Sequence, residues 1–247
     1  MSDNSISIKV VNSISELTRE EWNRCAVSYS SDGLVEIDDP FASYDFLNAL
    51  EKSGSVGENT GWLPYHLAAM SENKLVGAVP LYVKSNSQGE YIFDHNWAHA
   101  FERAGGRYYP KLQISIPFTP VTGRRFLVSK NAPSHTATLL LQSAIELCKQ
   151  NKLSGLHTTF CSKQDFELGQ QLGMLGRVSQ QFHWLNDGYS DFSEFLSALS
   201  SRKRKNINKE RAKANKFGGQ IETLTGTEIK KDHWNYFWEF YQDTGNK

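Results

Sequence analysis

Apolar and polar positions alternate over residues 6–11, which predicts an opening strand. Thr18 followed three places later by Glu21 is a helix-start pattern of the capping-box kind. Over residues 43–52, Tyr44, Leu47 and Leu50 share one helical face with Phe46 beside it, and Gly54 supplies the stop. Residues 65–70 and 75–84 predict two strands around a turn at 71–74, and a third short strand is expected at 91–93 after the turn at 86–89. A helix over 96–104 ends at Gly105 and Gly106, and the run KLQISIPF then reads as a strand leading into the loop TPVTGRR. A broadly apolar helix at 136–149, a strand at 156–160, a helix at 164–172 and strand material at 181–185 follow. The order is a strand, two helices, three or four antiparallel strands, then helix, strand, helix and strand. It defines an α/β (α+β) lobe with a mixed, mostly antiparallel central sheet flanked by helices.

The pattern restarts at Gly188, dividing the chain into a first lobe, 1–187, and a shorter region, 188–247. That region has a helix at 192–199, a basic run, a break at Gly218 and Gly219, a strand at 220–224 and a helix from Glu228. In the last helix Trp234, Phe237, Trp238 and Tyr241 fall at i, i+3, i+4 and i+7. One strand cannot enclose such an aromatic face. The face must then meet the first lobe, a partner or further sequence, and the expectation is the last of these: a second lobe begun here and truncated at its C-terminus, whose remainder would be an intramolecular partner.

Composition is that of an ordinary globular chain, with 39% apolar and 22% charged residues. Lys plus Arg equals Asp plus Glu at 27 each, so net charge carries no argument for a polyanionic partner. Local charge does: Arg202 to Lys216 holds eight basic residues and one acidic one. At ~100° per residue Arg202, Lys205, Lys209, Lys213 and Lys216 fall in a wedge of about 80°. Such a stripe suits a phosphorylated ligand or RNA; a solvated face, or one covering the acidic first lobe, is the alternative. Neither an export signal nor an apolar run of membrane-spanning length is seen, so a cytoplasmic protein without a membrane span is expected. Cys25, Cys148 and Cys161 are odd in number and widely spaced, and read as reduced, mostly buried thiols.

Candidate chemistry lies in three further places. The loop Thr119–Arg125 could offer backbone N–H groups with Arg124 and Arg125 to a phosphate, or be a plain turn. His95 and His99 stand at i, i+4 beside Asp94 but lack a third ligand, so no metal is assigned. Tyr109 and Lys111, with Tyr108, line a possible substrate groove or simply pack at a strand edge. Asp38, Asp39, His66, Glu90 and Asp94 are general-base candidates by residue type, and no catalytic residue is singled out. Motifs of serine hydrolases, P-loop NTPases and dinucleotide-binding dehydrogenases are absent from the sequence.

Several phrases together carry a resemblance: DPFASYDFLNALEKSGSVGENTGWLPYHL, GAVPLYVKSNSQGEYIFD, RYYPKLQISIPFTPVTGRR, QFHWLNDGYSDFSEFLSALSSRKRKNINKER and HWNYFWEFYQDTG. They resemble the FemAB-like peptidoglycan biosynthesis/recognition proteins, a family of predicted N-acyltransferases. The resemblance implies tandem GNAT-type lobes, the first complete here and the second only begun, with the basic helix joining them. It implies attack of an amine on an activated acyl group, with acyl-CoA or an aminoacyl-tRNA as co-substrate, no covalently bound cofactor and a cell-wall connection. Substrate or phosphate contacts are then expected from Tyr109, Lys111, Arg124, Arg125, Arg202, Lys205 and Lys209. Asn208 departs from the family phrase, which has an arginine there. The alternative readings are a non-catalytic anion-binding module, for RNA or a cell-wall precursor, and an inactive fragment.

Overall fold

The computed structural model describes residues 5–29, 35–37, 39–92, 94–216 and 218–246. The chain divides into two compact units, Met1–Val178 and Ser179–Lys247.

The first unit is a mixed α/β fold. β1 (Ser7–Val11) leads to α1 (Arg19–Ala26), capped as expected by Thr18, whose side chain accepts from the Glu21 N–H. The short pair β2 (Ser28–Tyr29) and β3 (Val35–Ile37) precedes α2 (Tyr44–Lys52), which Ser43 caps. β4 (Trp62–Pro64) and β5 (His66–Ser71) then pair antiparallel with β7 (Leu81–Lys84) and β6 (Lys74–Val79), so four short strands make one long hairpin bent at Tyr65 and Pro80. After α3 (His95–Arg103) the chain adds β8 (Lys111–Ile114) beside β7 and, following a 12-residue excursion, β9 (Leu127–Val128) beside β6. α4 (Thr136–Gln150) crosses over to β10 (Leu156–Thr158), parallel to β8, and α5 (Lys163–Gln171) follows. The bend produces two sheets, β1-β5-β6-β9 and β10-β8-β7-β4.

Strand alternation sorts side chains into two cores. Ala68, Leu75 and Ala78 join Trp22, Cys25 and Leu47 of α1 and α2, whereas Leu67, Ala69 and Val79 join Leu140, Leu141 and Ala144 of α4. With both faces covered, β5 is apolar throughout its middle rather than alternating with polar residues. α4 packs tightly over Gly77, since a Cβ there would lie 2.8 Å from Thr136 Cγ2.

His66 secures the bend. Pro80 removes a ladder donor between β6 and β7, and the Leu81 N–H turns to His66 Nδ1 (3.3 Å). That leaves Nε2 to carry the proton and donate to Glu51 Oε1 at 3.1 Å. Burial pushes the Glu51 carboxyl up, but hydrogen bonds from His66, Ser13 and Ile14 outweigh it and hold it below its usual value. The ring lies edge-on to Tyr82 and Trp22.

Three predicted strands are not strands. Residues 90–92 run as coil with Tyr91 at φ 54°, and Phe93 lies outside the described residues; the third strand of the sheet is β8, beyond α3. Residues 181–185 and 220–224 are likewise coil. The second unit contains α6 (Phe192–Ala198), α7 (Ser201–Ala214) and α8 (Lys231–Gly245), and among its described residues no strand that could pair with either run. An isolated strand leaves its ladder groups unsatisfied. The four aromatics of α8 are all more than half exposed, so the unit does not bury the face expected to be covered. No helix among the described residues is long and apolar enough to cross a membrane.

Replacing His66 by Leu strips the Leu81 N–H and the Glu51 carboxylate of a partner at once. A loss of about 3 kcal/mol is expected in urea unfolding of the full chain, against under about 1 kcal/mol for Lys74→Ala at the exposed hairpin turn.

Candidate functional site

β8 and β10 run parallel and are followed by irregular segments that meet beyond their carboxyl ends. Phe118 and Phe160, one on each segment, sit at φ 59° and 49°, a left-handed conformation that a bulky residue adopts only when its surroundings impose it. The Gly123 N–H donates to Phe160 O (3.0 Å), tying the segments together. A Cβ on Gly123 would fall 2.6 Å from Asp39 Oδ2, so this position keeps the loop against the carboxylate. Asp39 in turn accepts from the N–H groups of Phe41 and Ala42 through Oδ1.

Between them lies a cavity of about 460 Å³. Its apolar wall includes Ala26, Phe41, Val121 and Leu127, and its polar groups come from Asp39, Thr122, Arg124, Ser162 and Lys163. Ligands of open α/β sheets bind beyond the carboxyl ends of the strands, which is this end. Ser162 caps α5, placing that helix's N-terminus, with Lys163, at the rim.

The two arginines of the loop serve the fold first. Arg124 Nη2 donates to the carbonyls of Cys25, Ala26 and Val27, closing the C-terminus of α1. Arg125 is buried and engages Thr159 O, Val121 O and Arg124 O, while its own N–H donates to Asp165 Oδ2 at 2.7 Å. Arg125 is thus a clamp inside the loop, and Arg124 both an anchor and a cavity wall.

Tyr109 and Lys111 lie elsewhere, at the amino end of β8, in a buried ionic cluster. Lys84 and Lys111 are direct cross-strand partners and both are fully buried. Lys111 Nζ donates to Glu90 Oε2 and Asp94 Oδ2, each at 2.9 Å, and approaches His157 Nδ1 at 3.3 Å. Asp94 also accepts from Tyr108 (2.8 Å) and Ser87 (2.8 Å), and Ser87 bonds Tyr109. Lys84 donates to Gln88 O and lies 3.7 Å over the Trp62 ring.

Burial and mutual charge set these groups apart. Burial lowers Lys84 to about 8, with Glu90 opposing, and lowers His157 to about 4, with the Lys111 charge adding to it. Burial raises Glu90 despite Lys111. It would raise Asp94 too, but hydrogen bonds from Lys111 and Tyr108 bring that carboxyl down to about 2. Lys84, Ser87 and His157 escaped the sequence reading, although Lys84 shares a strand phase with the aromatic Tyr82, a sign that this phase faces inward.

The remaining expected residues separate further. Arg202, Lys205 and Lys209 are exposed on α7 of the second unit. His95 and His99 are exposed on α3, and the described residues contain no group of three metal-ligating side chains. Of the general-base candidates, Asp39 reaches the cavity, Glu90 and Asp94 the cluster, His66 the bend, and Asp38 lies outside the described residues.

The comparison with protein families matches residues 13–247 to the FemAB-like family, described as peptidoglycan biosynthesis/recognition, and the chain belongs to that family. No curated protein matches it. Among solved structures, a ribosomal-protein-alanine N-acetyltransferase from Brucella melitensis biovar Abortus 2308 shares 12% identity at a TM-score of 0.42, covering 73% of this chain and 100% of that one. The aminoglycoside N-acetyltransferase AAC(6')-Iy in complex with CoA gives 11%, 0.42, 73% and 95%. Mosquito arylalkylamine N-acetyltransferase like 5b gives 15%, 0.42, 70% and 85%.

Asp94 has a folded value below its unfolded one, so its contribution is full above about pH 4 and lost as pH falls toward 2. Asp94→Asn should therefore be less stable than the wild-type protein by about 2 kcal/mol at pH 6, with the gap closing by pH 2 in denaturant titrations.

Proposed function

We propose that the chain is an N-acyltransferase of the FemAB-like class, transferring an acyl group from an activated donor to an amine, with a role connected to the cell wall. Membership of the family over residues 13–247 carries this reading. The order of strands and helices in the first unit is the order expected of a GNAT-type lobe, and the cavity beyond β8 and β10 gives it a place for the donor.

An acyl-CoA or aminoacyl-tRNA donor brings phosphate and an apolar acyl segment. The cavity matches both, with Lys163 and the α5 N-terminus at the rim and Phe41, Val121 and Leu127 on the wall. Acyl transfer to an amine needs the two reactants held in line and the developing oxyanion stabilised, which backbone N–H groups provide without a nucleophilic side chain. Asp39 is the carboxylate placed to orient an amine or take its proton.

The second reading, an anion-binding module, is favoured by one observation. α7 carries Arg202, Lys205 and Lys209 exposed, with Arg211 stacked 4.4 Å over Phe192. Polyanion binding there would show a steep salt dependence and no acyl transfer.

The two readings separate on a pair of charge reversals. Lys163 is exposed and makes only a 3.7 Å ion pair with Glu167, so Lys163→Glu should fold normally. Acetyl-CoA at saturating concentration is expected to raise the wild-type Tm by several degrees, and Lys163→Glu to weaken that stabilisation at least tenfold in concentration, with Lys205→Glu unchanged. Loss on Lys205→Glu alone would favour the binding module.

A further inference from the structure

The cavity beyond β8 and β10 is far larger than the smallest acyl group needs. Its volume is about 460 Å³, about fifteen times a water molecule's share of the liquid. At that density an acetyl group would occupy about a fifth of it.

The space exists because the residues beneath it are small. Ala26 ends α1, Ala42 ends the turn Pro40–Ala42, and with Leu127 of β9 they form a floor, being 8%, 1% and 1% exposed. All three belong to the apolar core around Trp22, and Phe41 packs against the same cluster. The floor is fixed by the fold: Trp22 Nε1 donates to Ala42 O at 2.9 Å and Arg124 Nη2 to Ala26 O at 2.7 Å. Phe41 makes a side wall, its ring edge-on to Phe46 at 5.3 Å. Val121 is 44% exposed, which sets it at the mouth. The side chains of this surface offer a guest no hydrogen bond, so the guest that gains most from it is a plain hydrocarbon. The cations lie apart from it in the sequence and in chemistry. Lys163 stands at the α5 N-terminus, and Arg124 uses only Nη2 on the α1 carbonyls, leaving its other nitrogens without a hydrogen bond among the described residues.

We propose that the donor taken by this cavity is the CoA thioester of a medium-chain aliphatic acid, of about eight to ten carbons by volume, with Phe41 and Val121 setting the chain length. It rests on the N-acyltransferase reading and deepens it by naming the acyl group. The chain lies on Ala26, Ala42 and Leu127, and the phosphates meet Lys163 and the free edge of Arg124. In the transfer the amine nitrogen bonds the acyl carbon, the C–S bond breaks, and CoA leaves as the thiol with the proton that the amine gives up. A shorter acyl group would leave the apolar floor in contact with water and gain less from binding.

Calorimetry on the full chain with acetyl-, butyryl-, hexanoyl-, octanoyl- and decanoyl-CoA, without an acceptor, reads the chain's contribution. Affinity should rise about fourfold per methylene and level off near about ten carbons. Val121→Trp, which narrows the mouth, should reduce the gain from acetyl- to octanoyl-CoA at least tenfold, and Phe41→Ala should move the levelling point to longer chains. Lys74→Ala, at the exposed hairpin turn, should leave the series as in the wild-type protein. Octanoate, which lacks the phosphates, should compete with octanoyl-CoA at least tenfold more weakly than octanoyl-CoA itself binds. A rise that Val121→Trp leaves intact, or octanoate binding as tightly as its thioester, would overturn the proposal. Acetyl-CoA binding as tightly as octanoyl-CoA would sink the acyl-length assignment and spare the enzyme reading, whereas the full chain-length series without transfer to any amine would do the reverse.

Discussion

Two lysines placed directly opposite each other on a buried sheet face are the constraint from which much of the first unit follows. Like charges across a strand pair repel, and at Lys84 and Lys111 neither has bulk water to screen it. The fold answers with carboxylates carried on the segment between β7 and β8. Glu90 and Asp94 both reach Lys111, and Asp94 is also the residue immediately before α3. The long connection that displaces the expected third strand from 91–93 to 111–114 is therefore the element that neutralises the sheet, and Tyr108, Tyr109 and Ser87 pin it down.

The opposite end of the same strands is organised without buried carboxylate–lysine pairs. There Arg124 and Arg125 direct their donors to backbone carbonyls, which lets a loop run beside a cavity while its polar groups stay satisfied. The contrast has a chemical consequence. Charges locked in pairs at the amino end of β8 are poorly available to a ligand, whereas Asp39 and Lys163 at the carboxyl end border open volume. Hence Tyr109 and Lys111 read best as the anchor of the covering segment, and Arg124 as a wall of the cavity.

Helices were legible because they carry their own evidence. Thr18 and Ser43 announce starts, and the stripe of Thr136–Gln150 matches the face that packs on β5 and β6. Strands were less legible, because alternation reports that one side is buried but not which neighbour supplies the ladder. That is why 181–185 and 220–224, though patterned correctly, are coil, and why β9, only two residues long, passed unnoticed. The candidate site divides the same way. Arg124, Lys111 and Glu90 stood out by residue type, but Lys84 and His157 sit inside strands, outside any motif, and only the pairing with β8 brings them together. Asp39 and Lys163 meet only through the tertiary crossing of two loops.

The buried polar phase also bears on why this fold keeps an arrangement that an apolar face would make simpler. A Leu at Gln113 and an Ala at Ser115 would remove unpaired oxygens, and volume-conserving apolar replacement of buried polar groups is often neutral or stabilising. The face instead carries Lys84, Lys111, Gln113 and Ser115 beneath the segment that supplies Glu90 and Asp94. The carboxylates that make two buried lysines tolerable also hold the cover in place: Glu90 and Asp94 reach Lys111 from it, and Tyr108 and Ser87 hold Asp94 in turn.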